Sequence, residues 1–514
     1  MKSQSDARPS SAFSERGLKK TVDSLIEEIQ QLYLSDTVPW VVGYSGGKDS
    51  TATLQLVWTA VSNLEPSMRN KPVHVISTDT LVENPVVAAW VTRSLEAMQE
   101  AAKEKELPFI PHRLTPALQD SFWVNLIGKG YPAPRPKFRW CTERLKIKPS
   151  NSFITGIVQQ SGEAILVLGI RKAESSTRAA NMKKQEARRV RERLSPNASL
   201  PNSLVYSPIE DWSNDDVWMF LMQVSNPWGY DNKDLLTMYQ GASPDGECPL
   251  VIDSSTPSCG DSRFGCWVCT LVDQDKSMHA MIQNDEEKEW MLPLLELRNA
   301  LDVPDDRHLR DFRRMSGLVQ IFHDKPIPGP YKQGSREQWL TKVLQAQKWI
   351  RTHGPEYVRG IELISLPELH EIRRIWVVEK HEIEDTLPGI YQEVMKELFP
   401  AGPLDDNLAL GREEMSILRG ICQDNDLLYE LTRELLDVER RYRTTTKRSG
   451  LFEALEDALG RSFYADEGDA TRRALRLRDA REHAKEGAYE QLSLEPTNGE
   501  SGAGEDAMPV VTAD

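Results

Sequence analysis

Cysteine is scarce in this chain: six among 514 residues. That density excludes a small disulfide-framed secreted scaffold. Long apolar runs are missing as well; no stretch approaches the roughly 20 apolar residues of a membrane-spanning helix. The N-terminal MKSQSDARPSSAFSERG carries no apolar segment of the kind a secretory signal needs. An excess of positive charge is also lacking, since 63 Lys and Arg against 78 Asp and Glu leave a net charge of -15. A chain of that sign does not coat nucleic acid through its overall field, although a local basic groove stays open. These absences point to a cytoplasmic protein with reduced thiols and no membrane partner. What is present is a globular balance, 39% hydrophobic and 27% charged. At on the order of 150 residues per domain, the length suggests roughly two to four domains.

Residues 1-16 read as a flexible N-terminus rich in Ser and charge, and 17-34 have the apolar spacing of an amphipathic helix. Pro39 to Tyr44 form a short apolar run that ends in SGGKDS, Ser45 to Ser50, and helical spacing follows to Ser62. Val73-His74-Val75-Ile76 predicts a second strand, ending in Ser77-Thr78-Asp79-Thr80; a helix starts near Asn84-Pro85. Ala164 to Leu168 predict a third strand, ending in Gly169-Ile170-Arg171. Alternating strands and helices predict an α/β fold with a doubly wound parallel sheet. Ligands sit at the carboxyl ends of such strands, where all three polar clusters fall. After about residue 272 the pattern turns helical, over 285-300, 337-352, 367-381, 386-398, 413-440 and 450-461. The expected organisation is therefore a sheet domain over 17-272, a mostly α-helical C-terminal domain over 273-490, and a disordered acidic tail over 491-514. The tail holds Glu495, Glu500, Glu505, Asp506 and Asp514 and no Lys or Arg.

The SGGKDS loop has the chemistry of a phosphate cradle. Gly46 and Gly47 allow a sharp turn and close approach to a ligand. The following helix offers unpaired N–H groups and a positive dipole end to an anion. Ser45, Lys48 and Ser50 add hydroxyls and an ammonium. The spacing is not that of the GxxxxGK[ST] loop of kinases and GTPases. It resembles the signature of the PP-loop ATP pyrophosphatases, the adenine nucleotide alpha hydrolase-like fold. Ser77-Thr78-Asp79-Thr80 with Glu83, and Gly169-Ile170-Arg171 with Glu174, Ser175 and Arg178, are similar to motifs of the phosphoadenylylsulfate (PAPS) reductase branch. Tyr206 to Trp212 and Asp216-Val217-Trp218 resemble a later block of that branch. The resemblance implies that ATP binds at Ser45, Gly46, Gly47, Lys48, Asp49, Ser50, Thr78, Asp79, Gly169, Arg171, Glu174 and Arg178. It also implies cleavage of ATP between the α and β phosphates, with Lys48, Asp49, Asp79 and Arg171 as the catalytic set. Asp79 is placed to hold Mg²⁺ or the ribose, and Arg171 and Arg178 to clamp phosphate oxygens. The alternative for each charged residue is a plain surface ion pair.

Five of the cysteines are Cys141, Cys248, Cys259, Cys266 and Cys269. Cys266-Trp-Val-Cys269 is a CxxC, which serves a redox pair, half a zinc site or a cluster equally well. Iron-sulfur members of the PAPS reductase branch take ligands from a site like Cys141 and from a late CxxC. The resemblance thus implies a [4Fe-4S] cluster on Cys141, Cys266 and Cys269. The fourth ligand is Cys259 or Cys248, and Gly260 and Gly265 favour Cys259 because they let the segment fold tightly. Four cysteine sulfurs suit zinc too. Cys422, within an apolar helical pattern, reads as a small buried hydrophobe.

The motif order, the cysteine spacing and the long helical second half resemble the sulfur-transfer proteins of bacterial DNA phosphorothioation systems, the DndC family. That likeness implies ATP-dependent replacement of a DNA backbone oxygen by sulfur. It further implies a cysteine desulfurase as sulfur donor and DNA handled together with partner proteins of the Dnd system. The basic run 182-193, MKKQEARRVRER, is either a surface for DNA phosphates or a solvated helix face. Three other readings compete: a PAPS or APS reductase, a tRNA-thiolating PP-loop enzyme, and a non-catalytic nucleotide-binding iron-sulfur or zinc regulator.

Overall fold

A computed structural model describes residues 11-243, 264-400, 402, 404, 410-423, 425-443 and 448-493. Helix α1 (Gly17–Leu34) leads into strand β1 (Trp40–Gly43), whose residues serve both faces of a sheet. Trp40 and Val42 enter one core while Val41 enters the other. Both faces are covered, which is why this strand reads as a continuous apolar run and not as an alternation. Helix α2 (Lys48–Ser62) follows, then β2 (Val73–Thr78), α3 (Pro85–Glu104), β3 (Phe109–Leu114), α4 (Lys148–Ser161) and β4 (Ala164–Val167). After α5 (Ser176–Glu186) come β5 (Ser195–Pro196), β6 (Ser203–Tyr206), α6 (Asn214–Gln223) and α7 (Asn232–Gly241).

The sheet runs in the order β3-β2-β1-β4-β6-β5. Every pairing is parallel except the short edge contact of β5 with β6. The predicted parallel α/β sheet is present, with one antiparallel edge strand added. β1 pairs with both β2 and β4, Trp40 lying opposite Val73 on one side and Ile165 on the other. The chain leaves β1 toward β2 and β3 and returns on the far side to β4. The carboxyl end of β1 therefore lies at a topological switch point, where α/β sheets hold ligands.

The chain divides into two compact units, 1-309 with 331-415 and 310-330 with 416-514. The break expected near residue 272 falls inside the first unit. There α8 (Lys276–Asn284), α9 (Leu292–Leu301), α10 (Gln333–His353), α11 (Leu366–Arg374) and α12 (Thr386–Met395) contribute to one core together with Trp123, Trp140 and Trp267. The N-terminal lead also packs earlier than expected. Phe13 is buried edge-on against Trp212 at 5.2 Å, and Ala12 N–H donates to Asp216 Oδ2 at 3.1 Å.

The second unit contains the small hairpin β7 (Ile321–Phe322) and β8 (Lys325–Pro326), then α14 (Asp426–Arg443), α15 (Leu451–Ser462) and α16 (Glu467–Ser493). α13 (Arg412–Cys422) precedes α14, so the single helix expected over 413-440 is two helices, interrupted at Gln423 with φ +50. Cys422 is buried as expected. The acidic tail lies outside the described residues from 494 onward. Among the described residues no helix is long and apolar enough to cross a membrane.

Candidate functional site

The SGGKDS loop leaves β1 and turns at Gly46, which has φ +73. A Cβ on Gly46 would stand 2.4 Å from Val91 Cγ2 of α3, so both conformation and space require glycine. Trp90 Nε1 donates to Gly46 O at 3.2 Å and pins the turn to α3. Ser45 N–H donates to Ser50 Oγ at 3.2 Å, and Ser50 Oγ donates to Gly47 O at 3.0 Å. These contacts close the loop on itself. α2 begins directly after Gly47, which brings no side chain to cap it; of the N–H groups in its first turn, that of Lys48 donates to the Tyr239 hydroxyl. The remaining N–H groups of a helix start that faces a cleft make a ready anion site.

The loop opens on a cavity of about 1200 Å³ at the ends of β1, β2 and β4. Of the predicted nucleotide residues, Ser45, Gly47, Lys48, Asp49, Ser50, Thr78, Asp79, Gly169, Arg171, Glu174 and Arg178 all line it; Gly46 sits behind. Gly169 allows β4 to approach α2, since a Cβ there would lie 2.6 Å from Asp49 O. Arg171 is buried, and its Nε donates to Asp49 Oδ1 at 2.6 Å. Lys48 Nζ lies 3.4 Å from Asp49 Oδ2, so this carboxylate sits between two cations. Glu174 accepts from Arg171 N–H at 2.9 Å and from Arg178 Nη1 at 2.5 Å. It thus fixes the Arg171 backbone and pairs with the Arg178 guanidinium, while the Arg171 guanidinium is answered by Asp49. Asp79 accepts from Leu81 N–H at 2.8 Å and from Arg113 Nε at 3.1 Å, so it stands ready-paired at the end of β2.

Three cysteines come together next to this cavity. Cys141 starts the short helical segment Thr142–Ile147. Cys266 is bridged in antiparallel fashion to Glu83, with Trp267 N–H donating to Val82 O at 3.0 Å. Cys269 N–H donates to Cys266 O at 3.0 Å, the tight turn of a CxxC. All three are free thiols. Burial raises the Cys141 thiol, and the neighbouring Cys269 adds to that. Burial, with the Glu83 carboxylate alongside, pushes the Cys266 thiol up to about 12. Cys248 and Cys259 lie outside the described residues. Among the described residues no group of three or more His, Cys, Asp and Glu, these three thiols included, is set to hold a metal ion. Cysteine sulfur is the donor type that a soft four-coordinate group takes, and Cys141, Cys266 and Cys269 are the thiols this border offers.

Residues that the motifs left unassigned link the two halves of the site. Lys146 and Glu83 both line the cavity and pair at 3.3 Å. Burial alone would lower the Lys146 ammonium; Cys266, Glu83 and Cys269 outweigh it and hold its proton affinity up. Thr80 Oγ1 lies 3.3 Å from Cys266 Sγ. Tyr239 of α7 accepts from Lys48 N–H at 3.3 Å, and its ring meets Phe264 edge-on at 4.7 Å, two residues before Cys266. Glu83 and Lys146 stood inside readable motifs, whereas nothing in the sequence marked Tyr239.

The basic run 182-193 is not a free cationic face. Arg189 pairs with Glu210 at 3.1 Å, Arg191 with Asp36 at 3.2 Å and Glu163 at 2.6 Å, and Arg193 with Glu28 at 2.8 Å. Those acids lie far away in sequence, so a local count of charges could not reveal them.

Residues 39-228 match the family model of the phosphoadenosine phosphosulfate reductase domain. The chain therefore carries a PAPS reductase-like, PP-loop domain. It is 26% identical over 200 residues to an uncharacterized protein of Methanocaldococcus jannaschii, a match covering 39% of this chain and 35% of the relative. The chain thus spans about a third of the length of the curated relative it matches. Among solved structures, it is similar to FMN adenylyltransferase of Candida glabrata in complex with FAD and inorganic pyrophosphate. That match has 12% identity and a TM-score of 0.26, covering 47% of this chain and 72% of the other. It is also similar to the U34-tRNA thiolase of Methanococcus maripaludis with its [4Fe-4S] cluster. There the identity is 13% and the TM-score 0.27, with 59% of this chain and 88% of the other covered.

Proposed function

Starting from a PAPS reductase-like domain with a phosphate cradle beside three thiols, we propose an ATP-dependent sulfurtransferase of the DndC type. It replaces a non-bridging oxygen of the DNA backbone with sulfur. The observation that carries this reading is the shared border of the two chemistries: Lys146 and Glu83 line the nucleotide cavity and also stand against Cys266.

In this reading the triphosphate lies on the SGGKDS loop, where the start of α2 and Lys48 meet its charge. Asp49, held between Lys48 and Arg171, and Asp79 are the carboxylates available to Mg²⁺. A DNA phosphate oxygen attacks the α-phosphorus of ATP. The bond from that phosphorus to the bridging oxygen breaks, and pyrophosphate leaves. The DNA phosphorus now carries AMP as leaving group. A hydrosulfide-level sulfur attacks it, the bond to AMP breaks, and the sulfur's proton passes to solvent. A cysteine desulfurase persulfide, reduced by a two-electron thiol donor, meets the sulfur requirement. Cys141, Cys266 and Cys269, with Cys259 or Cys248, would hold a [4Fe-4S] cluster, which when bound supplies a sulfide-handling centre beside the cavity. Lys146 would hold negative charge at that border, and the aromatic group of Phe122, Trp123, Trp140 and Trp267 packs close by and leaves the three thiols half-buried.

The test is product analysis with anaerobically purified full chain, ATP and DNA. The expected products are AMP and pyrophosphate, formed faster with DNA than with tRNA. Release of ADP and phosphate, or stimulation by tRNA alone, overturns the proposal.

A further inference from the structure

The segment that delivers Cys141 carries more than its cysteine. Residues 135-148 contain Arg135, Lys137, Arg139, Arg144, Lys146 and Lys148 against the single acid Glu143. Three of these cations are paired inside the fold: Arg135 with Asp306 at 3.0 Å, Lys146 with Glu83, and Lys148 with Asp120. Arg144 is turned inward to Asn125 and Tyr131. Lys137 and Arg139 are exposed and have no acidic partner among the described residues. Between them stands Phe138, 44% exposed.

This loop is fixed, so the exposure is not a by-product of slack. Phe138 N–H donates to Arg135 O at 2.8 Å and Arg135 N–H to Phe138 O at 3.2 Å, closing a tight turn with Lys137 at its tip. Thr270 Oγ1 donates to Pro134 O at 2.5 Å, and Trp140 Nε1 donates to Pro132 O at 2.9 Å. Trp140 is buried and stacks on Phe122 at 5.4 Å. A held turn that shows an aromatic ring flanked by two unpaired cations suits a strand whose bases stack and whose phosphates are neutralised. Stacking on a single exposed ring needs an unstacked base, which a single strand offers and an intact duplex does not. The same backbone runs on through Cys141 to Lys146 at the cavity wall. In the run 182-193, by contrast, three of the six cations are spent on internal ion pairs.

We propose that Lys137, Phe138 and Arg139 form a docking surface for single-stranded DNA, which leads the strand past Cys141 to the nucleotide cavity. The choice of DNA rests on the function proposed above; the stacking and phosphate chemistry rests on the loop itself.

The test is fluorescence anisotropy of a labelled 20-nucleotide single-stranded DNA with the full chain over a salt series. F138A weakens binding about 5- to 150-fold, the range of one lost base stack, and F138W restores it. K137E/R139E weakens binding and reduces the slope of log K against log salt by about 1.4, as expected for two lost phosphate contacts on a single strand. K183E/K184E on α5 leaves binding unchanged, and F138A leaves DNA-independent ATP turnover unchanged. Equal binding by wild type, F138A and K137E/R139E overturns the surface, as does loss in K183E/K184E of the same size. Tighter binding of the duplex or of the same RNA sequence overturns the assignment to single-stranded DNA. If ATP is not converted to AMP while the loop-dependent binding persists, the proposed function fails and this surface stands. If AMP forms but no strand binds through the loop, the reverse holds.

Discussion

Lys48 is the residue on which the phosphate site most depends, at the start of α2 and in the cavity lining. Its ammonium reaches the cavity, and its N–H is held by Tyr239. Removing the ammonium while keeping the glycine turn should cost one charged hydrogen bond, about 1.5 to 3 kcal/mol. Lys48→Ala is therefore expected to weaken ATP binding roughly 10- to 150-fold by calorimetry, with little change in thermal stability. Unchanged affinity would remove Lys48 from the phosphate site. The loop residues were legible because glycine freedom, a hydroxyl and an ammonium must lie together in sequence to cradle a phosphate. Asp49 was legible as part of that motif, but its clasp by Arg171 was not, because the two lie 122 positions apart. Tyr239 escaped for the same reason, and so did the pairing of Glu83 with Lys146, since both arise from what the fold brings together. The arginines of 182-193 show the converse, a local cluster whose charge is answered by Glu28, Asp36 and Glu163 from elsewhere.

Strands β1, β2 and β4 were readable as elements because both their faces are covered, which demands unbroken apolar runs. β3 escaped. It is an edge strand containing Pro111, His112 and Arg113, with Ile110 exposed, so neither an apolar run nor a clean alternation marks it. The short pair β5 and β6 carries too few residues for a period. The 413-440 pattern was continuous in its apolar spacing and gave no sign of the turn at Gln423. β2 and β3 also carry a pH-sensitive feature. His74 Nδ1 lies 3.0 Å from His112 Nε2, with Phe153 of α4 against both rings. Burial lowers the proton affinity of each imidazole, and for His74 the neighbouring His112 lowers it further. Unfolded, both titrate near about 6.5 and bind protons more readily than in the fold. Their contribution is thus fully present above that pH and is lost as pH falls through it. The melting temperature should drop between pH 7.5 and 5.5, and the drop should shrink in H74N/H112N. An equal drop in the double variant would show that other groups carry the acid sensitivity.

Across the whole molecule, the six cysteines and the charge of -15 take on different meanings once placed. Cys141, Cys266 and Cys269 converge from segments more than a hundred residues apart, a gathering that CxxC spacing hinted at and only the fold supplies. Anaerobically purified protein should contain about four irons per chain. Cys259→Ser should abolish that iron and Cys248→Ser should not; the opposite result would exchange the fourth ligand, and zinc without iron would remove the cluster. In the proposed function the acidic balance assigns DNA contact to a local surface, since no net positive field exists to hold it. The helical half is less separate than its composition suggested, because α8 to α12 share a core with the aromatic residues around the cysteines. The proposed reaction leaves sulfur in the DNA backbone. Mass spectrometry of nuclease-digested DNA from cells carrying this gene with its partner genes tests it most directly. Phosphorothioate dinucleotides are expected with the intact gene and should vanish with Lys48→Ala or Cys141→Ser. Their persistence in both variants, or their absence alongside thiolated tRNA, would overturn DNA phosphorothioation by this chain.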